Sequence, residues 1–137
     1  MRWDYVIAHG ELYDENGLRC VGYSGFGEGK NNPAMQDVPD VGPVPVGTYT
    51  LGEPENSKAL GPYAIPLIPS ALNRMFGRSG LFIHGDSIDF PGQASHGCVI
   101  IGAAVRYCMK QGDTLDVLAD LPEDPGAVAN EVQQQAA

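Results

Sequence analysis

Apolar and polar positions alternate at the start of the chain. In the segment 3–8 (WDYVIA), large apolar side chains recur at every second position, which is the period of a β-strand with one buried face. The dipeptide Asn16-Gly17 is typical of a tight hairpin turn. We therefore expect the segment 18–23 to return as a second strand.

Short apolar runs bounded by Gly, Pro or polar residues predict four further strands. These segments are 46–51, 63–68, 81–84 and 114–118. Because a proline cannot donate a ladder hydrogen bond, Pro66 predicts an edge strand or a bulge in the second of these segments. The third strand is short, buried and ends in His84.

The segment 99–111 has apolar residues at helical spacing and is followed by Gly112, so it predicts the main helix. A shorter helical turn is predicted over 70–76, with Ser70 as its cap. Between the predicted strands, 24–45 is rich in Gly and Pro and is expected to be a surface loop with substrate contacts. Together these elements predict a mainly β (α+β) protein with one main helix.

Composition supports a single domain. The chain has 137 residues, with 18 glycines and 11 prolines, which suits one core with many turns. We expect one catalytic domain over residues 1–120. The remaining segment, 121–137, carries acids, Gln and Ala with nothing to pack, and predicts a mobile acidic C-terminal tail.

The charge excludes two classes of partner. A net charge of −9 repels phosphate backbones and anionic lipid, so we expect no nucleic-acid and no membrane partner. No apolar run approaches the roughly 20 residues that span a bilayer. The acidic first residues lack the apolar core of a signal peptide. We therefore expect the protein to be synthesised in the cytoplasm. If it acts outside the cytoplasm, we expect it to be delivered by something other than its own signal peptide.

The segment 78–101 carries the strongest chemical signal. His84 ends a predicted strand, and Cys98 closes the run SHGC at 95–98. A free thiol is mostly protonated at neutral pH, and an adjacent imidazole or a helix N-terminus converts it to the nucleophilic thiolate. The pattern therefore predicts nucleophilic catalysis, with Cys98 at the start of the helix 99–111 and His84 as its base.

The same residues leave alternatives open. His84, His96 and Cys98 can also form a zinc site with Asp86 as a fourth ligand, which would make the protein a zinc-dependent amidase. Asp86 alternatively forms a turn or polarises His84. For the nucleophilic mechanism we expect no cofactor and no metal.

The other two cysteines, Cys20 and Cys108, are predicted as core residues. An oxidising periplasm would allow them to pair, and this pairing would leave Cys98 as the free thiol. Titration of thiols in the unreduced, unfolded protein tests that hypothesis, since three free thiols would contradict it.

His84-Gly85 followed by SHGC resembles the signature of YkuD-type L,D-transpeptidases. The upstream segments GEGKNNPAMQ, VGPVPVGTYT and GRSGLFIHGDS are similar to those of small L,D-transpeptidase-like effectors of type VI secretion, the Tlde1 group. The resemblance covers residues 20–110. It implies the L,D-transpeptidase catalytic fold, a small sandwich or barrel-like structure with one main helix after the cysteine motif.

The resemblance also implies a reaction and a role for each residue of the motif. Cys98 would attack the meso-diaminopimelate–D-Ala amide of a peptidoglycan tetrapeptide stem, with His84 as base and the Gly85 carbonyl orienting that base. D-Ala would leave and a thioester would form, which water (L,D-carboxypeptidase) or an amine (exchange or cross-linking) then resolves. The oxyanion side would be shaped by the residues before the cysteine: Ser95, His96 and Gly97.

Two departures from the family pattern qualify these roles. Ile100 stands where the family usually has Arg or Asn, so Arg78 becomes the candidate for binding the substrate carboxylate, with Asp86 beside it. The spacing from His84 to Cys98 is shorter than in most cell-wall transpeptidases. We therefore expect hydrolysis or D-amino-acid exchange. The alternative, which Ile100 favours, is a non-catalytic wall-binding module on a degenerate scaffold.

The resemblance further implies a biological setting. An effector without its own signal would be delivered into the periplasm of a competitor, or the protein would be a phage-encoded relative. An effector also implies a cognate immunity protein that blocks the cleft. The acidic surface suits a basic partner.

Overall fold

Short strands dominate residues 1–121, the part of the chain that the computed structural model describes. The strands are β1 (Arg2–Val6), β2 (Glu11–Asp14), β3 (Gly17–Val21), β4 (Tyr23–Ser24), β5 (Gly47–Leu51), β6 (Glu55–Ser57), β7 (Gly61–Pro69), β8 (Phe82–His84), β9 (Val99–Ile100) and β10 (Thr114–Leu118). One short helix, α1 (Ala103–Arg106), and two 3-10 turns (Gly27–Gly29 and Pro33–Met35) complete the elements of this part. The predicted mainly β class is confirmed. Apart from Leu121, the predicted tail lies outside the described residues.

The strands form one open mixed sheet in the order β3-β2-β1-β10-β5-β7-β8-β9-β4, with β6 added to β7. Most neighbours are antiparallel, but β1 pairs with β10 and β8 pairs with β9 in parallel. The second parallel pair matters for function, because β8 ends in His84 and β9 begins directly after Cys98.

The predicted buried face at the start of the chain is confirmed, although Val6 is buried as well and interrupts the strict alternation. Trp3, Tyr5 and Ile7 are all fully buried, and β1 lies inside the sheet between β2 and β10. The Trp3 indole donates to Asp113 Oδ2 at 3.0 Å, so the one polar atom of that side chain is satisfied in the core. The strand predicted over 114–118 coincides with β10.

The predicted hairpin is present, but its turn differs by one residue. Asp14 pairs with Gly17, which leaves Glu15 and Asn16 as the two-residue loop. Gly17 opens β3 with φ +117°, a conformation that favours glycine.

Pro66 lies in an interior strand and its pairing with Phe82 shows no register shift, so the prediction of an edge strand or a bulge at this residue is wrong. β7 pairs with β5, β6 and β8 along different parts of its length. The Pro66 carbonyl accepts from the Gly52 N–H at 2.8 Å. Its ring nitrogen therefore faces the same side but has no N–H to return to the Gly52 carbonyl, so the ladder between β5 and β7 ends at this pair.

The helix predicted over 99–111 is wrong in extent. Residues 99–101 are all buried, and their β-branched side chains favour the extended strand β9. The helix begins only at Ala103 and ends at Arg106. The predicted helical turn over 70–76 is also absent, although the Ser70 hydroxyl accepts the Leu72 N–H at 3.2 Å as a local turn.

The segment 24–45 is exposed only in its middle. Ser24, Gly25 and the residues 42–45 are buried, so both ends of this predicted surface loop pack beneath the cysteine motif. In residues 1–121, no helix combines the length and the apolar character that crossing a bilayer requires.

Candidate active site

The register of β8 and β9 brings the histidine and the cysteine together. Ile83 pairs with Val99, and His84 pairs with Ile100. Extending this register by one residue sets Cys98, directly before β9, beside Phe82, two positions before His84 along β8. The Phe82 N–H donates to Cys98 Sγ at 3.3 Å, which fixes the sulfur at the edge of β8.

His84 is a buried histidine whose ring is held by the neighbouring backbone. Its ring Nδ1 lies 2.8 Å from the Gly85 carbonyl oxygen, so Nδ1 carries the proton that this contact requires and Nε2 keeps its lone pair. Burial lowers the pKa of His84, and the Arg106 charge adds to that effect, whereas the Gly85 carbonyl and Asp86 oppose it. The imidazole is therefore neutral near pH 7.

Cys98 is a thiol in the resting protein. Burial raises the pKa of Cys98, and the Phe82 N–H and the Arg78 charge oppose that shift without cancelling it. The prediction that a helix N-terminus activates this thiol is wrong, since the four-residue α1 begins only at Ala103, beyond β9. Proton transfer to a neutral base is therefore the remaining route to the thiolate.

A buried serine shapes the turn that carries Cys98. The Ser95 hydroxyl donates to the Cys98 carbonyl at 2.5 Å and accepts the N–H groups of Gly25 (2.8 Å) and Gly97 (3.1 Å). Gly97 adopts φ +134°, and a Cβ there would lie 2.3 Å from the Arg78 guanidinium. Only glycine therefore fits directly before the cysteine.

Arg78 holds backbone instead of standing free for a substrate. Its side chain is buried, and both terminal nitrogens are fully used by main-chain carbonyls. The acceptors are Gln36 (2.8 Å), Pro43 (2.6 Å), Gly42 (3.0 Å) and His96 (3.3 Å). This geometry argues against the predicted carboxylate-binding role and makes Arg78 a clamp for the cysteine turn.

His96 lies apart from the histidine–cysteine pair. It is exposed, stacks on Phe26 with ring centroids 5.2 Å apart, and has its Nδ1 3.1 Å from the Asp40 carbonyl. It lines a small pocket of about 160 Å³ together with Arg78 and Leu81. Its ring therefore borders this pocket, whereas His84 lines a different one.

Asp86 organises the loop between His84 and Cys98. Its carboxylate accepts the Tyr23 hydroxyl at 2.5 Å and the N–H groups of Ser87 (2.8 Å) and Gly92 (3.1 Å). Partial burial raises the pKa of Asp86, but these hydrogen bonds outweigh it, so the net shift is downward. The turn-forming interpretation fits these contacts, and substrate binding by Asp86 stays a prediction.

Three residues of the site were not found by sequence reasoning. Ser24 is fully buried, donates to the Gly97 carbonyl at 3.1 Å and accepts the Val44 N–H at 2.9 Å. Tyr23 ties β4 to Asp86, and Arg106 is buried behind Gly85. Only Arg106 gave a signal, as the one cation among the apolar residues of the segment 99–109.

The zinc alternative has no ligand set in residues 1–121, where no three His, Cys, Asp or Glu side chains are grouped to hold a metal ion. Cys20, Cys98 and Cys108 are free thiols in the structure. Cys108 is exposed, so its assignment to the core is wrong. Cys20 is half-buried and packs against the core.

Comparison with known proteins places the chain in a family. Residues 19–116 match the family model of the Tlde1 domain. The crystal structure of L,D-transpeptidase 1 from Mycobacterium tuberculosis is similar with a TM-score of 0.53 and 17% identity, covering 86% of this chain and 58% of that chain. The chain thus spans less than two thirds of that protein, and the likeness is one of fold. Curated proteins give no match. The chain belongs to the Tlde1 domain family of type VI L,D-transpeptidase effectors, and its fold is that of an L,D-transpeptidase.

Proposed function

We propose that this protein is a peptidoglycan-modifying cysteine enzyme that cleaves the meso-diaminopimelate–D-Ala amide of tetrapeptide stems. The observation that carries the proposal is the geometry of the reacting pair. Cys98 lies directly before β9, the strand that pairs in parallel with the end of β8 at His84, and the His84 Nδ1 contact with the Gly85 carbonyl leaves Nε2 as a free base. The family and the fold support the same chemistry.

In the first half of the reaction, His84 Nε2 accepts the Cys98 proton as the sulfur attacks the amide carbonyl. The C–S bond forms and a tetrahedral intermediate results. The imidazolium then gives its proton to the leaving nitrogen, the C–N bond breaks and D-Ala departs. A thioester on Cys98 remains and His84 is neutral again. The opposite pKa shifts of the two groups support this order, since the pair starts as thiol and imidazole.

In the second half, His84 deprotonates an incoming nucleophile that attacks the thioester. Water gives a tripeptide carboxylate, and the amine of a D-amino acid gives a new amide; in both cases the proton returns to the sulfur. A groove of about 440 Å³ is lined by His84, Asp86 and Phe90 and gives the nucleophile an approach from the imidazole side. We propose hydrolysis and exchange as the main outcomes because the loop over the site is short.

The proposed setting is that of an antibacterial effector. Membership of a type VI effector family supports delivery into a target cell, where the periplasm holds the substrate. A cognate immunity protein that covers the cleft is part of this proposal. The net charge of −9 favours a basic surface on that partner.

The deciding experiment measures the intact mass of the protein after incubation with disaccharide-tetrapeptide, while muropeptide products are analysed in parallel. Wild type is compared with Cys98→Ala, and Cys108→Ala is the matched control because its thiol is exposed and outside the site. We expect D-Ala loss or a tripeptide adduct with wild type and the control only, and a fall of at least about 1,000-fold for Cys98→Ala.

Each other outcome contradicts the proposal in a specific way. No turnover and no adduct, with protein that is reduced and folded, would favour a non-catalytic wall-binding module. Turnover that survives Cys98→Ala and disappears with a chelator would indicate metal-dependent hydrolysis. Added D-Met distinguishes water from an amine as the acceptor. Incorporation of D-Met measures exchange, and the tripeptide product measures hydrolysis.

A further inference from the structure

Arg106 lies directly behind the peptide that orients His84. It ends α1 and is only 4% exposed. A Cβ on Gly85 would lie 3.1 Å from Nη1 and 3.3 Å from Nη2 of Arg106. The guanidinium is therefore packed against the Gly85 backbone, whose carbonyl receives the His84 Nδ1–H.

The hydrogen bonds of Arg106 tie this position to two parts of the fold, strand β7 and the end of β9. Nη1 donates to the Ile101 carbonyl at 2.5 Å, Nε to the Tyr63 carbonyl at 3.1 Å and Nη2 to the Pro62 carbonyl at 3.3 Å. Ile101 in turn donates its N–H to the His84 carbonyl at 3.0 Å. The histidine is thus connected through Ile101 to the arginine.

The charge of Arg106 is buried without a carboxylate partner. Among the ion pairs of the described residues, none includes it. A buried cation beside an imidazole disfavours protonation of that imidazole. The charged or titratable groups that face His84 are Arg106 from α1, Asp86 from the loop after β8 and Cys98 before β9, with Lys58 and Asp89 on the groove that His84 lines.

We propose that Arg106 is a positioning residue for the catalytic base: packed against Gly85 and bonded to the Ile101 carbonyl, it fixes the peptide that orients the imidazole and places its buried charge beside the ring. The inference rests on the proposed role of His84. Burial is the largest cause of the lowered pKa of His84, and the Arg106 charge acts in the same direction.

The test is an NMR titration of the His84 imidazole, assigned with His84→Gln, in wild type, Arg106→Gln and Arg106→Lys. Arg74→Gln is the matched control, because it removes the same charge from an exposed arginine. We expect Arg106→Gln to raise the His84 midpoint by about one pH unit, whereas Arg106→Lys and the control leave it within about 0.3 unit. An unchanged midpoint in folded Arg106→Gln would overturn the proposal.

Kinetics of D-Ala release provide the second readout. Arg106→Lys keeps the charge but loses the forked contacts, so we expect kcat to fall about tenfold at unchanged KM, since Arg106 does not touch the substrate. If Arg106→Gln does not fold, the kinetics of Arg106→Lys are decisive. A reduced kcat in folded Arg106→Lys supports the proposal, and full activity refutes it. The titration needs no peptidoglycan, so it distinguishes failure of this inference from failure of the proposed function.

Discussion

Two buried arginines flank the reacting pair, and they hold different kinds of structure. Arg78 donates to four carbonyls, all in loops around the cysteine turn. Arg106 donates to carbonyls of β7 and of the junction between β9 and α1. The Cys98 side therefore depends on side-chain clamps, whereas His84 ends a strand that main-chain ladders already hold on both edges.

This difference predicts two kinds of mutational effect. Variants on the Cys98 side should mainly lose stability, whereas variants on the His84 side should mainly change the electrostatics of the base. Loops have no regular ladder, so removing a clamp beneath Cys98 leaves buried carbonyls and hydroxyls without partners and costs stability. On the His84 side the ladder persists without Arg106, and the main loss is in the charge and orientation of the base. The four predictions below test that contrast, in order of decreasing effect.

The largest effect is expected from Gly97→Ala. The new Cβ would lie 2.3 Å from the Arg78 guanidinium at a φ of +134°, so the cysteine turn must open. We expect a loss of about 2–4 kcal/mol in the free energy of unfolding and at least about 100-fold in D-Ala release. Gly80→Ala is the control, because Gly80 also has positive φ (+68°) with open space around it. Equal losses in both variants would mean that the close contact with Arg78 is not the cause of the effect.

Ser95→Ala is expected to have the next largest effect. It removes three hydrogen bonds made by a fully buried hydroxyl, which costs about 1–3 kcal/mol. Urea unfolding and D-Ala release measure the result, and we expect activity and stability to fall together. Ser79→Ala, at an exposed position, serves as the comparison. Unchanged stability would mean that the loops around Cys98 do not rely on this clamp.

The pH profile of kcat/KM examines the His84 side without mutation. Activity requires one proton on the His84–Cys98 pair, so it rises as His84 deprotonates and falls as Cys98 deprotonates. The pKa of His84 is lowered and that of Cys98 is raised, both mainly by burial. We therefore expect a plateau that extends below about 6.5 and above about 8.5, the ordinary values of the two groups. A plateau narrower than that range would contradict the assignment.

The smallest effect is expected from Tyr23→Phe. The Tyr23 hydroxyl donates to Asp86 and accepts the Ala94 N–H at 2.9 Å, but the loop keeps the other bonds of Asp86. We expect a loss of about 1 kcal/mol in stability and a two- to fivefold loss of activity. Tyr13→Phe is the control, because the Tyr13 hydroxyl donates to Glu11 on the distant hairpin. We expect this variant to leave activity unchanged, whatever it loses in stability.

The sequence was sufficient to propose Cys98 and His84 as the reacting groups because their signal is local. The SHGC run and His84-Gly85 are contiguous motifs, and strand β10 coincides with its predicted bounds because its buried positions alternate. The prediction of a helix over 99–111 failed because the same apolar spacing also fits a short buried strand. The β-branched residues before Gly102 favour the strand.

The supports of the site were out of reach for a physical reason. Ser24 acts on Gly97, and Arg78 acts on Gln36 and Pro43, across separations that only the folded sheet closes. Isolated Ser and Arg residues carry no periodic or motif signal. Pro66 also needed the tertiary structure, because its tolerance depends on where β5 ends.

The parallel pairing of β8 with β9 has a consequence for how this family is searched and aligned. Strand register, and not the number of intervening residues, sets how far the thiol lies from the imidazole. Ile88 and Phe90, at the tip of the intervening loop, are 95% and 65% exposed. Insertions and deletions at that tip can accumulate without moving either reacting atom. Sequence patterns that fix the interval between histidine and cysteine will therefore reject relatives that share this site, and alignments based on the two strands will retain them.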